Sequence, residues 1–475
     1  MMSQFLWYDL ETFGRDSRRS RIAQFAAIRT DARLQAVEPA RVWYCQPSDD
    51  LLPSPTACLI TGITPQLAYD KGVPEAEFAA RIHEEMSRPD TCVAGFNSLR
   101  FDDEFIRNLF YRNFYDPYER EWRNGNSRWD LIDPIRLAHA LRPDGIHWPK
   151  REDGASSFKL EHLATANQLK QARAHDAKSD VEATIGLAAL LRQAQPRLFD
   201  YALALRDKKR AAAMIDYAAM TPVLHISQRY PAAQACAALV LPICAHPSNA
   251  NGIIVCDLAD DPTALIELPV DDILDRLYTA RADLPDDVAR IGLKQIHLNK
   301  TPMLVALQHL SAAQFARFGI ELAQQLEHAQ RLRQTDGLAE KVRAVFAKNT
   351  FDNAPLDPEL AIYQGFASPY DKSLFTRVRR ETAQTTGGFG FRDARFEPLA
   401  LRYRARNYPD SLGGDERDQW QDYRCQRLAP GSDLSEYDFD TYFAEIQSLR
   451  ASDDAEAHRI LDQLDDWGRT LQRSL

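Results

Sequence analysis

The chain has 475 residues, 45% of them hydrophobic and 27% charged, which excludes a disordered or fibrous protein and leaves room for two to four domains. Its net charge of −10, from 58 basic and 68 acidic side chains, argues at first sight against a nucleic-acid partner, which clustered Lys and Arg would hold by its phosphates. Scattered cysteines without a C-x-x-C pair exclude a disulfide framework and a structural zinc site. With no signal-like N-terminus and no run of about 18 apolar residues, a reduced, soluble, cytoplasmic protein without membrane contact is expected.

In chain order, the apolar runs at 5–8, 24–30 and 42–45 predict three strands, and the spacing of apolar positions predicts helices over 75–86, 102–111 and 180–193. Strands followed by alternating helices and loops imply an α/β domain with a mixed sheet. The composition shifts near 195–197, and a basic cluster of Arg206, Lys208, Lys209 and Arg210 follows. From 221 to 300, short apolar runs broken by Pro, Asn and Gly predict a small β-rich barrel or sandwich. A helical stretch over 312–348, a Pro- and Asp/Asn-containing linker over 349–358 and a helical segment over 432–472 complete the chain. The expected domains are therefore 1–195, 196–348 and 349–475.

Three motifs could carry chemistry. Asp9 and Glu11 in DLETF stand two apart at a strand end, so their carboxylates share one face. Two such charges repel by about 4 kcal/mol at 4 Å and an effective dielectric near 20, and a divalent cation with a taste for hard oxygen ligands, Mg²⁺ or Mn²⁺, offsets that. Asp102 and Asp103 follow a G-F-N run at the start of a predicted helix, where either could also be a capping or first-turn residue. His175 sits on a loop five residues before Asp180, which enters the third helix. An unperturbed histidine titrates near pH 6.5 and suits a general base for water. Each motif alone is common. Their order is not.

Asp-x-Glu at the first strand end, a central Asp after G-F-N, and His-x4-Asp resemble the DEDDh branch of the proofreading-type 3′→5′ exonucleases. The strings RIAQFAAIRTD, LITGITPQ, RFDDEFIRNLFYRNFYDPY, NSRWDLIDPIRLAHALRPDGIHWP, SFKLEHLATANQL, AHDAKSDVEATI, HLNKTP and YRARNYP are similar to bacterial exonuclease I along the whole chain. That resemblance implies an RNase H-like exonuclease domain, an SH3-like β-barrel domain and a helical C-terminal domain. It also implies hydrolysis of single-stranded DNA from the 3′ end to 5′-mononucleotides, by a monomer that docks on single-strand-binding protein. Asp9, Glu11, Asp102 and Asp180 would serve two Mg²⁺ ions, with Asp102 chosen over Asp103 as the first of the F-D-D-E string, and His175 would be the base. Glu11 would also touch substrate. Lys159 stands where the family usually has arginine, keeping the charge but losing the planar fork.

Between 107 and 136 cations alternate with rings, a pattern suited to stacking bases while tracking a backbone. Arg107, Tyr118, Trp122 and Arg136 fall in the most family-like strings and are the expected contacts, whereas Phe110 and Phe114 are expected in the core. Lys208 and Lys300 would extend the path, and Tyr363 and Phe366 would close it. Arg402, Arg404 and Arg406 fit either DNA contacts or ion pairs between domains. An RNA-directed relative and a catalytically silent strand-capping module are the competing readings. The local cationic and aromatic path explains how an acidic chain could still hold DNA.

Overall fold

The computed structural model describes residues 4–169, 176–285, 288, 290–348, 356–381, 388–451 and 454–475. Its first elements are strands β1 (Gln4–Thr12), β2 (Ile22–Asp31) and β3 (Arg41–Tyr44), helices α1 (Pro55–Thr61), α2 (Pro65–Lys71) and α3 (Glu75–Met86), strand β4 (Thr91–Gly95), helix α4 (Asp102–Arg112), strand β5 (Ser127–Asp130), and helices α5 (Ile132–Leu141), α6 (Leu160–Ala166) and α7 (Ala177–Ala194). Packing divides the chain into two units, one of residues 1–127, 171–185 and 354–475, the other of 128–170 and 186–353.

In the first unit the strand order is β3-β2-β1-β4, and β5 starts at Ser127, where the unit's first segment ends. β1 is antiparallel to β2 and parallel to β4, so the sheet is mixed, as the sequence implied. The strand expected at 5–8 runs on to Thr12 because β2 pairs with it throughout, with a register shift between Glu11 and Thr12. Leu6, Tyr8 and Leu10 enter a core with Phe78, Ala79 and Ile82 of α3 and Phe105, Ile106, Leu109 and Phe110 of α4. Each such side chain, fully buried, contributes about 1.5–3 kcal/mol. That packing fixes one face of β1 inward, so alternation sends Asp9 and Glu11 to the other.

The C-terminal part of this unit is helical, over Pro369–Arg380, Phe396–Asn407, Gly414–Leu428, Phe439–Leu449 and Ala455–Arg473. It shares cores with the N-terminal segments. Phe114 packs among Phe375, Phe396 and Tyr403, and Phe13, Leu51 and Leu52 cluster with Tyr442, Ile460 and Leu464. Phe110 and Phe114 are thus core residues, despite the cations that flank them in sequence.

A buried charge network joins the same segments. Asp50 and Glu359, both fully buried, receive Arg21, Arg406 and Arg427: Arg406 is 2.7 Å from Asp50, Arg21 is 3.0 Å from Glu359, and Arg427 is 3.3 and 3.4 Å from the two. Arg402 pairs with Asp357 at 2.7 Å and Arg404 with Glu416 at 2.6 Å. All three arginines of the RYRAR run therefore spend their charge inside the unit, which decides between the two readings the sequence left open.

The second unit carries an antiparallel sheet of β6 (Val223–Ile226), β7 (Ala237–Ala245), β8 (Gly252–Asp257), β9 (Leu293–His297) and β10 (Met303–Ala306), ordered β10-β6-β7-β8-β9. Val223, Val240, Val255, Ile296 and Leu304 fill its core. This is the small β domain expected over 221–300, extended by one strand. Helices Ala312–Phe318, Leu322–Arg333 and Leu338–Lys348 follow it. Most of the expected 349–358 linker lies outside the described residues. No described helix is long and apolar enough to cross a membrane.

Candidate active site

The carboxylates singled out by spacing converge in the first unit. Asp9 and Glu11 project from the C-terminal half of β1, and Asp180 enters from the first turn of α7, where its N–H donates to the carbonyl of Asp176 at 3.0 Å. One oxygen from each of the three lies within 4.8 Å of the others. Asp102, the first residue of α4, lines the same cavity of about 660 Å³. Its neighbour Asp103 does not. Successive helical residues point about 100° apart, and Asp103 turns into the protein to accept from Tyr8 Oη at 2.7 Å and Arg120 Nη2 at 2.6 Å. His175 lies outside the described residues.

Like charges at this spacing need a compensating cation. Burial, then the proximity of Asp102, Glu11 and Asp180, holds the Asp9 carboxyl well above the usual carboxylate range, and burial, then Asp180 and Asp176, pushes Glu11 up to about 8. The donor set is all hard oxygen and fits a hard divalent ion such as Mg²⁺ or Mn²⁺. A carboxyl whose pKa is raised by folding adds stability below its unfolded pKa and loses it as pH rises through the folded value. The protein without a divalent cation is therefore expected to weaken between about pH 5 and pH 8, and cation binding near pH 7 should release protons. Calorimetric titration with Mg²⁺ in buffers of different ionisation enthalpy reads this directly: buffer-dependent heats at pH 7, with the dependence shrinking as pH rises above about 8, are expected. Buffer-independent heats at pH 7 would contradict it.

Further along the unit, the expected DNA contacts resolve into two kinds. Phe366 and Trp122 are 80% and 65% exposed, and Tyr118 packs edge-on against Phe366 with ring centroids 5.4 Å apart. Tyr363 reaches Glu104 through its hydroxyl. Arg107, expected on the surface, is only 6% exposed: Glu121 and Glu104 each take its guanidinium at 2.8 Å, and it lies against the Tyr118 ring at 5.3 Å. It supports the aromatic surface from behind. In the second unit Arg136 is likewise 6% exposed, paired with Asp133 at 2.6 Å and set over Phe158. Both guanidinium groups are thus met by acidic side chains, Glu104 and Asp133 each three residues earlier on the same helix and, for Arg107, Glu121 as well. Lys159 is exposed beside Glu161 at 3.7 Å, Lys208 donates to Asn251 at 2.9 Å, and Lys300 lies in the turn after β9.

Several cavity residues were not legible in the sequence. Glu436 and Tyr437 line the carboxylate cavity from more than 400 positions away, with Ser54, Thr56 and Arg15. Only Arg15, which directly follows DLETFG, carried a signal that could have been used.

A carboxylate trio at the end of the central strand of a mixed sheet is the arrangement of an exonuclease domain, and comparison agrees. Residues 6–188 match the exonuclease family model, 206–348 the exonuclease I SH3-like domain and 356–471 the exonuclease I C-terminal domain. Exodeoxyribonuclease I of Escherichia coli is 44% identical over 430 residues, 90% of each chain. Among solved structures, exonuclease I from Methylocaldum szegediense superposes with a TM-score of 0.93 at 45% identity over 99% of each chain. E. coli exonuclease I in complex with a dA16 oligonucleotide gives 0.93 at 42% identity, covering 99% of this chain and 100% of that one. A structure described as SSB/exonuclease I with an inhibitor gives 0.89 at 40%, with the same coverage. The chain belongs to the exonuclease I family. Exonucleases of this type need a divalent metal.

Proposed function

We propose that this protein is a Mg²⁺-dependent exodeoxyribonuclease that shortens single-stranded DNA from its 3′ end, releasing 5′-mononucleotides in DNA repair and recombination. The observation that carries this reading is the convergence of Asp9, Glu11 and Asp180 within 4.8 Å, beside Asp102, on a chain similar to exonuclease I from end to end. The domains run 1–195, 196–348 and 349–475, and the enzyme works as a cytoplasmic monomer. Its partners are single-stranded DNA and single-strand-binding protein; the E. coli relative in complex with a dA16 oligonucleotide and the SSB/exonuclease I structure support this.

Asp9, Glu11 and Asp180 hold two Mg²⁺ ions, or Mn²⁺ in their place, with Asp102 holding or orienting the second. Bound there, the ions would supply Lewis acidity to the scissile phosphate and would lower the pKa of the attacking water so that it gives up its proton readily. His175 takes the proton of the attacking water, and Glu11 also contacts the substrate. The carboxylates by themselves repel the phosphate, so neutralising them precedes productive binding. Tyr118, Trp122, Tyr363 and Phe366 stack bases, and Lys159, Lys208, Lys300, Arg107 and Arg136 contact the strand they track.

Base stacking on an aromatic side chain is worth about 1–3 kcal/mol. Phe366→Ala is therefore expected to raise KM for single-stranded DNA by about 5- to 150-fold with little change in kcat, measured by steady-state nucleotide release. For the function itself, a 5′-labelled single strand should shorten to a ladder, far faster than matched duplex or RNA. Shortening of a 3′-labelled strand only from its 5′ end, or faster cleavage of RNA, would overturn the reading.

A further inference from the structure

The loop between β1 and β2, FGRDSRRSR, carries four arginines with different fates. Arg21 is buried in the Asp50/Glu359 network, and Arg19 pairs with Asp16 at 2.7 Å. Arg15 is exposed and lines the cavity that holds Asp9, Glu11, Asp102 and Asp180, and among the described residues its guanidinium has neither a hydrogen bond nor an ion pair. Its backbone, in contrast, is pinned. Both oxygens of Glu436 accept the Arg15 N–H at 2.9 Å, and one accepts the Asp16 N–H at 3.2 Å. The fit is close: a Cβ at position 14 would stand 2.1 Å from Glu436 Oε2 and would displace that carboxylate. On the strand side, Thr12 Oγ1 donates to the Gly14 carbonyl at 2.6 Å, and the Phe13 carbonyl accepts the Ser54 N–H at 2.6 Å.

A carboxylate from the C-terminal helical region thus fixes the backbone of the residue four positions after Glu11, a residue that is itself exposed on the cavity wall. An unpaired guanidinium on the wall of a carboxylate-lined cavity is matched in charge and shape to a phosphate oxygen pair, which it can take bidentately. We propose that Arg15 binds a backbone phosphate of the strand whose 3′ end enters the cavity, and that Glu436 is a positioning residue that holds Arg15 in place. The proposal rests on the nuclease reading above and adds to it a substrate contact in the loop after the first motif.

The test is Arg15→Gln, with Arg18→Gln on the same loop as a charge-matched control. Arg18 does not line the cavity. Arg15→Gln should raise KM for single-stranded DNA by about fivefold or more with kcat within about twofold. It should also reduce the slope of log affinity against log salt by about 0.7, the value for one phosphate contact on a single strand. The slope is read from equilibrium binding of a fluorescent oligothymidylate in Ca²⁺, independently of turnover. Arg15→Lys should recover part of the affinity and the full slope, Arg18→Gln should match wild type, and Glu436→Ala should weaken binding but add little when combined with Arg15→Gln. An unchanged slope in Arg15→Gln, whatever happens to kcat, overturns the proposal. Failure of the wild-type protein to release nucleotides would instead overturn the nuclease reading.

Discussion

Asp180→Ala is expected to lower the single-turnover rate of nucleotide release by at least about a thousandfold, roughly 4 kcal/mol of barrier. Asp180 is one of three carboxylates whose oxygens lie within 4.8 Å, so its removal takes away a third of the tightest donor set. The loss should be catalytic and not structural. Asp180 is among the charges that push up the Asp9 and Glu11 carboxyls, and without it the protein in EDTA at pH 8.5 should melt no lower than wild type. Rapid-quench assays and thermal melts on the same preparation separate the two. Degradation at the wild-type rate would remove Asp180 from the mechanism. A low melting temperature in EDTA would mean that its contribution is to the fold.

The second large effect lies away from the chemistry. Glu359→Ala is expected to cost about 3–5 kcal/mol, because it takes from the buried Arg21, Arg406 and Arg427 one of the carboxylates that neutralise them. Domain stabilities are only about 5–15 kcal/mol, so a large drop in the urea midpoint should follow. Burial alone would raise the Glu359 carboxyl; Arg406, Arg21 and Arg427 overcome it and hold the group well below the usual carboxylate range. Asp50 is held down in the same way. A depressed carboxyl adds stability above its unfolded pKa and loses it as pH falls toward the folded value. Wild type should therefore weaken steeply below about pH 4, and the variant should show a shallower acid dependence because part of that contribution is already gone. A midpoint within error of wild type would show that the buried charges are compensated elsewhere.

The fold was legible where local periodicity is strong. Helix α3 matches its expected limits, and the Asp9/Glu11 pair follows from strand alternation alone. The meeting of that pair with Asp102 and Asp180 is a tertiary fact that spacing could not supply, and it became readable only through the ordered set of motifs. Arg107 and Arg136 mark the limit of composition: a cation between aromatic residues reads the same in sequence whether or not an acidic side chain meets it, as Glu121 meets Arg107 and Asp133 meets Arg136. Glu436 marks another limit. Its partners are backbone N–H groups some 420 residues away, and no side-chain pattern records such a contact.

The net charge of −10 is likewise less restrictive than it first looks. Asp9, Glu11 and Asp180 form a cluster that could hold a cation, beside Asp102, and Asp50, Glu75 and Glu359 are neutralised within the protein by buried arginines. The total charge therefore does not by itself exclude a nucleic-acid partner, and exposed rings such as Trp122 and Phe366 are the kind of surface on which bases stack.

The most direct test of the whole account is the digestion of one 5′-labelled single-stranded oligonucleotide by the purified protein, with Mg²⁺ and with excess EDTA. Shortening from the 3′ end to 5′-mononucleotides in Mg²⁺, abolished by EDTA and restored by added Mg²⁺ or Mn²⁺, is the predicted result. Equal degradation in EDTA, or tight binding without nucleotide release in Mg²⁺, would contradict a metal-dependent nuclease built on Asp9, Glu11, Asp102 and Asp180.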